Sequence, residues 1–258
     1  MTKYTSKIIK AGALLPDTKM LLEHWDLDAD VATNLQRMLT ENLFGKASRS
    51  RIEDILAIFR QRYLTDPGLL RALVTLVRAG WPSRNLDPVL YYLSLRSDTL
   101  LHDVVTEVLV PRLNRGRQDV TVTDISAWLI EQVAAGRTES SWSAATVARA
   151  SRELMATLRD FGILEGKVNK HISPFYLPIE SFAFIAFLLG RDGATGERLI
   201  NDPEWQVFFL SSSAVERFFL EAHQEHLLEY RSAGRVVRVE FPAQTPEEYA
   251  LALAQRTH

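Results

Sequence analysis

Arg149 and Arg152 stand three apart in the run Val147-Ala148-Arg149-Ala150-Ser151-Arg152. On a helical wheel centred on Val147 both fall on the face away from the apolar stripe, beside Ala145 and Ala156, whose small side chains let a helix approach a groove closely. Guanidinium groups so placed suit phosphates and guanine edges, and the plainer alternative is a solvated arginine face. Ser141, Ser143 and Thr146 lie where that helix would start. Free N–H groups and the helix dipole favour a phosphate there, although capping alone accounts for these residues more simply. Lys167, Lys170 and His171 cluster a little further on, and two of the seven lysines in the chain are in that cluster. A third basic group, Arg49, Arg51, Arg60 and Arg62, flanks the apolar stripe of an earlier helix, with Ser50, Asp54, Ala57 and Gln61 placed outermost. Arginines beside a stripe run along the core or pair with neighbours, and of these four Arg49 and Arg51 are retained as candidate contacts. The candidate nucleic-acid ligands are thus Ser143, Thr146, Arg149, Arg152, Lys167, Lys170, His171, Arg49 and Arg51, and the expected partner is double-stranded DNA.

Other chemistry is thin. His223 and His226 share a predicted helix, but their order does not match His-Glu-x-x-His and no third ligand is identifiable, so no metal site is expected. Gly190, Gly193 and Gly196 follow a helix instead of a strand, which leaves neither a dinucleotide fingerprint nor a P-loop. There is no Gly-x-Ser-x-Gly elbow, and with no cysteine there is no thiol nucleophile, thiolate zinc site or disulfide. The expectation is a protein that is not an enzyme, with no cofactor and no small-molecule substrate.

The elements that must position the basic groups are mostly helical. Pro16-Asp17 opens a helix to Trp25, Asp30 caps a helix ending near Asn42, and after the turn at 44–47 Ser48 caps one with the stripe Ile52, Ile55, Leu56, Phe59 and Tyr63. Helices follow over 67–79 and 87–95, separated by Gly80-Trp81-Pro82. The middle reads as a helix over 98–113, a short strand Val120-Thr121-Val122, and a helix capped by Asp124. A long helix capped by Ser143 and stopped at Gly162 comes next, then a β-hairpin over 163–177 with its tip at 166–170. Helix, strand, helix, helix, hairpin is the order of a winged helix-turn-helix, in which the third helix enters a groove and the hairpin is the wing. Further on, 179–189 and 213–230 read as helices, 235–241 as a strand and 246–256 as a closing helix. The fold class expected is mainly α with winged-helix elements and a small hairpin wing. Segments 1–96, 97–178 and 179–258 would form the domains.

With 47% hydrophobic and 24% charged residues among 258, the chain is that of a globular protein, which excludes disordered and collagen-like classes. The net charge of -2 conceals segregation: residues 44–62 carry five basic and two acidic side chains, 140–171 five and three, and 197–230 two and seven. Arginine supplies 23 of the 30 basic residues, a bias that suits bidentate contacts and that a GC-rich genome would also produce. The most apolar run, Phe182 to Leu189, is far short of the roughly 20 residues of a membrane span, and no signal peptide follows the charged start, so no membrane partner and a cytoplasmic location are expected.

The opening Ser6-Lys7-Ile8-Ile9-Lys10-Ala11-Gly12-Ala13-Leu14-Leu15-Pro16-Asp17-Thr18, with Asn42-Leu43 and the helix ending Arg60-Gln61-Arg62-Tyr63-Leu64, resembles the start of the BrxA family. A second resembling block runs from Thr146-Val147-Ala148-Arg149-Ala150 through Leu158-Arg159-Asp160-Phe161-Gly162-Ile163-Leu164-Glu165-Gly166. The resemblance implies a small non-enzymatic component of a bacteriophage exclusion (BREX) system, which blocks phage propagation and marks host DNA by methylation. It further implies a mostly helical DNA-binding protein with winged-helix elements, a body likened to the RNA-binding protein NusB, and contact with other BREX components. Members have also been described as inner-membrane proteins, which the hydropathy here opposes. The family brings no established set of functional side chains. Two alternatives stay open beside DNA binding: a protein–protein scaffold whose acidic last third binds other components, and a winged-helix transcriptional regulator.

Overall fold

The computed structural model describes residues 3–46, 48–167, 169–173, 175–233 and 236–256. Ala47 of the expected turn, Val168 and Pro174 of the expected hairpin, and Arg235 of the expected late strand lie outside them. In chain order the helices are α1 (Ile8–Ala11), α2 (Leu15–Glu23), α3 (Val31–Glu41), α4 (Arg49–Tyr63), α5 (Pro67–Arg78), α6 (Ser83–Ser97), α7 (Thr99–Asp103), α8 (Val110–Asn114), α9 (Val122–Ala134), α10 (Ala144–Asp160), α11 (Ile179–Arg191), α12 (Glu197–Ile200), α13 (Ser212–Gln224) and α14 (Pro246–Ala254). The strands are β1 (Asp119–Val120), β2 (Leu164–Glu165), β3 (Lys170–Ile172), β4 (Glu229–Ala233) and β5 (Val236–Glu240). The chain divides into two units, one of Met1–Leu15 with Leu93–Tyr176 and one of Pro16–Tyr92 with Leu177–His258. Segments distant in sequence therefore share a unit, because α14 packs on α5 within the second and α1 packs on α10 within the first.

In the first unit the helix expected over 98–113 is interrupted: α7 passes into a π-helix, Val104–Leu109, before α8. Pro111 accounts for the widening. It has no N–H to give and its ring crowds the carbonyl four residues back, so the turn opens and the Val110 N–H bonds to the Val105 carbonyl. β1 covers Asp119–Val120 and ends two residues before the expected end at Val122, and the next helix is capped by Thr121 instead of Asp124. Asp124 sits at the third helical position and completes a capping box, its carboxylate accepting from the Thr121 N–H while Thr121 accepts from the Asp124 N–H. Three short strands form an antiparallel sheet in the order β1-β3-β2.

The second unit buries an aromatic core. Ser181 through Leu189 of α11 are all buried, so its apolar run is satisfied all round by protein. Phe182 stacks on Trp205 and Phe218 with ring centroids 4.7 and 4.9 Å apart, and Phe187 meets Tyr249 of α14 at 4.9 Å. Among the described residues no helix is long and apolar enough to cross a membrane. Two expectations need correction. α6 begins at Ser83 and holds Pro88 in its interior, since burial of Leu86, Val89 and Leu90 outweighs the one missing hydrogen bond. The helix expected over 213–230 stops at Gln224. His226 takes a left-handed conformation with φ of 55°, and the chain reverses into β4, which pairs antiparallel with β5.

Candidate nucleic-acid interface

α10 is positioned from both ends and along one side. The Ser143 hydroxyl oxygen accepts from the Thr146 N–H at 3.2 Å, and the two hydroxyls lie 3.0 Å apart, so both residues are engaged in the cap. Val147, Ser151, Leu154 and Leu158 form the buried stripe. Ser151 donates to the Val147 carbonyl and receives the Ser126 hydroxyl at 2.9 Å, a polar tie between α9 and α10 that leaves neither group unsatisfied. Opposite the stripe, Ala145, Arg149 and Arg152 are exposed and Ala156 is half-buried. Neither arginine has an ion pair among the described residues.

β2 follows α10 directly and packs against it. Gly166 opens the turn to β3 with φ of 102°, and a Cβ there would lie 2.1 Å from the Asn169 carbonyl oxygen, so only glycine fits. Lys167 is exposed, whereas the Lys170 ammonium donates to the Lys167 carbonyl at 3.1 Å and partly folds back on the turn. His171 is held differently from the other candidates. The register puts it between Asp119 of β1 and Glu165 of β2, with Nε2 3.4 Å from the Glu165 carboxylate, which also accepts from Ser173 at 2.7 Å. Two carboxylates beside it make that position unwelcoming to phosphate.

Arg49 and Arg51 lie on α4, which belongs to the second unit. Arg49 pairs with Glu53 at 3.0 Å one turn along, and Arg51 is half-buried with a partner of its own. Of the positions expected outermost on α4, Ser50 and Ala57 are exposed but Asp54 and Gln61 are half-buried; Glu53 and Arg60 are exposed as well, and Arg62 is buried. Arg115 and Arg117, exposed in the loop before β1 on either side of Gly116 with its φ of 72°, were not singled out in the sequence. The Arg-Gly-Arg run is the sequence signal that marks them.

Among the described residues no group of three or more His, Asp or Glu side chains is arranged to hold a metal. His223 and His226 line a cleft of about 360 Å³ with Glu229, Glu240 and Phe241.

The model of one family, BrxA, matches residues 2–188. The chain belongs to the BrxA family. The matched stretch takes in α10, β2 and β3 as well as α4, and with it comes the BREX association of that family. Two solved structures are similar in part, a magnesium ion-bound SspB and a second SspB crystal structure, each at 13% identity and a TM-score of 0.40 over 54% of this chain and 50% of the other. This BrxA-family chain therefore spans about half the length of the SspB chains it matches. No curated protein matches it.

Proposed function

We propose that this BrxA-family protein is a non-enzymatic, cytoplasmic DNA-binding component of a BREX system, with its first unit acting as a winged helix-turn-helix. α10 is the recognition helix, the β2–β3 hairpin is the wing, and duplex DNA is the partner, alongside other BREX components. The observation that carries this reading is the pair Arg149 and Arg152, exposed and unpaired on the outward face of a helix followed by a β1-β3-β2 sheet. A helix in that place presents side chains to the major groove while a basic turn touches the backbone.

The test is a titration of the full chain with duplex DNA at several salt concentrations. If Arg149, Arg152, Lys167 and Lys170 each neutralise a phosphate, log K should fall against log salt with a slope of roughly 3 to 4, because each contact releases about 0.9 counterion. Absence of salt-dependent binding would leave the scaffold reading. One observation favours that second reading: Ile130 is 58% exposed and borders a cleft of about 390 Å³ lined by Val133, Ala134, Trp142, Ala144 and Ala148. Open apolar clefts of this sort serve protein contacts.

A further inference from the structure

The N-terminal segment does no chemistry in the proposal above, yet it is built into the unit that carries α10. Tyr4 is 1% exposed. Its N–H donates to the Arg137 carbonyl at 2.7 Å and its carbonyl accepts from the Glu139 N–H at 3.0 Å, forming a parallel bridge with the loop that leads into α10. The Tyr4 hydroxyl donates to Asp103 at 2.6 Å, and the Arg137 guanidinium lies 4.7 Å from the centre of the Tyr4 ring. Arg137 in turn donates to Asp103 at 2.7 Å, Gln132 at 2.9 Å and Glu107 at 3.1 Å, and Glu107 accepts from the Trp128 ring N–H. Four residues on, Ile8 of α1 is fully buried where α1 packs on α10.

From these contacts we infer that residues 3–11 form a brace that fixes the pose of α10, and that Tyr4 is a positioning residue for nucleic-acid binding. The inference rests on the DNA reading of α10. Its physical content is a population effect: with the brace detached, α10 is docked only part of the time, and apparent affinity falls by the fraction lost. Tyr4 is buried and touches no ligand, so the number of phosphates neutralised in the complex stays the same. The loss should therefore be the same factor at every salt concentration, which a lost phosphate contact cannot imitate.

The experiment compares Tyr4→Ala in the full chain with the parent, by duplex titration across salt and by amide hydrogen exchange of α10. A folded variant should bind about fivefold or more weakly with an unchanged slope, and its α10 amides should exchange faster. Unchanged affinity and exchange would overturn the brace, and a flatter slope would make the segment a contact and overturn the positioning role. If Tyr4→Ala does not fold, Tyr4→Phe keeps the ring and loses only the bond to Asp103, and unchanged α10 exchange in that variant overturns the inference. Should the parent show no salt-dependent DNA binding, the proposed function fails, while the exchange measurements still decide whether the brace exists.

Discussion

Replacing Arg149 and Arg152 together with alanine separates the two functional readings. Both side chains are exposed and unpaired among the described residues, on the side of α10 opposite Leu154 and Leu158, which have no exposure. Their removal opens no cavity, and alanine is the better helix former, so stability should change by no more than about 0.5 kcal/mol. For a chain of this size that is a shift in Tm of about 1–2 °C. Binding should respond strongly. Each arginine on a phosphate or guanine edge is worth about 1–3 kcal/mol, so the double variant should bind at least tenfold more weakly, and with both on phosphates the salt slope should drop by about 1.8. Fluorescence anisotropy of a labelled duplex between about 50 and 200 mM salt reads both quantities. Leu154→Ala is the control from the buried face: it should cost about 2–5 kcal/mol of stability and weaken binding only as far as it unfolds the unit. A double arginine variant that stays folded and binds with the parent's affinity and slope refutes α10 as the recognition helix.

The wing makes a weaker contribution, because Lys170 partly folds onto the Lys167 carbonyl; Lys167→Ala with Lys170→Ala should lower the slope by about one to two and reduce affinity alike for all duplex sequences. Thr121→Ala removes one half of the α9 capping box and should cost about 1 kcal/mol in urea unfolding, with Thr121→Ser restoring most of it. Burial raises the Asp103 carboxyl, but hydrogen bonds from His102 and Tyr4 and the nearby charges of His102 and Arg137 outweigh it and hold it below its ordinary value. A carboxyl lowered in the folded state gives stability that is complete above its unfolded value of about 4 and is lost as pH falls through the folded one. Urea midpoints of the parent and Asp103→Asn should therefore differ at pH 7 and converge as the pH falls through the lowered value of the folded carboxyl, and a constant gap would mean the carboxylate's charge is not what holds the network.

The local grammar of the chain was legible where a cap and a stripe agreed. Asp30, Ser48 and Ser143 each accept a backbone N–H at the head of a helix whose apolar spacing pointed to the same start. Where local signals conflict with packing, the pattern misleads. Leu227, Leu228 and Tyr230 continue a helical spacing beyond α13, but all three are buried by a chain that has already turned at His226, and nothing near that histidine marks a left-handed residue as glycine would. The Tyr4 network was beyond the reach of periodicity altogether, because its members lie up to about 135 positions apart and each is unremarkable alone.

The same limit governs the basic groups. Types and spacing put nine residues forward, and the partners that the fold places beside them sort them. Glu53 takes up Arg49, the Asp119 and Glu165 carboxylates flank His171, and a backbone carbonyl draws in Lys170. Arg149 and Arg152 keep their charge undivided, because they stand opposite the buried stripe of α10 and make no ion pair among the described residues. A charge with no internal partner costs nothing in water but contributes nothing to the fold either, so its stability effect and its binding effect can be measured apart. That separation fails for Arg137, whose removal strips Asp103 and Glu107 of a half-buried partner and would lower stability and binding together.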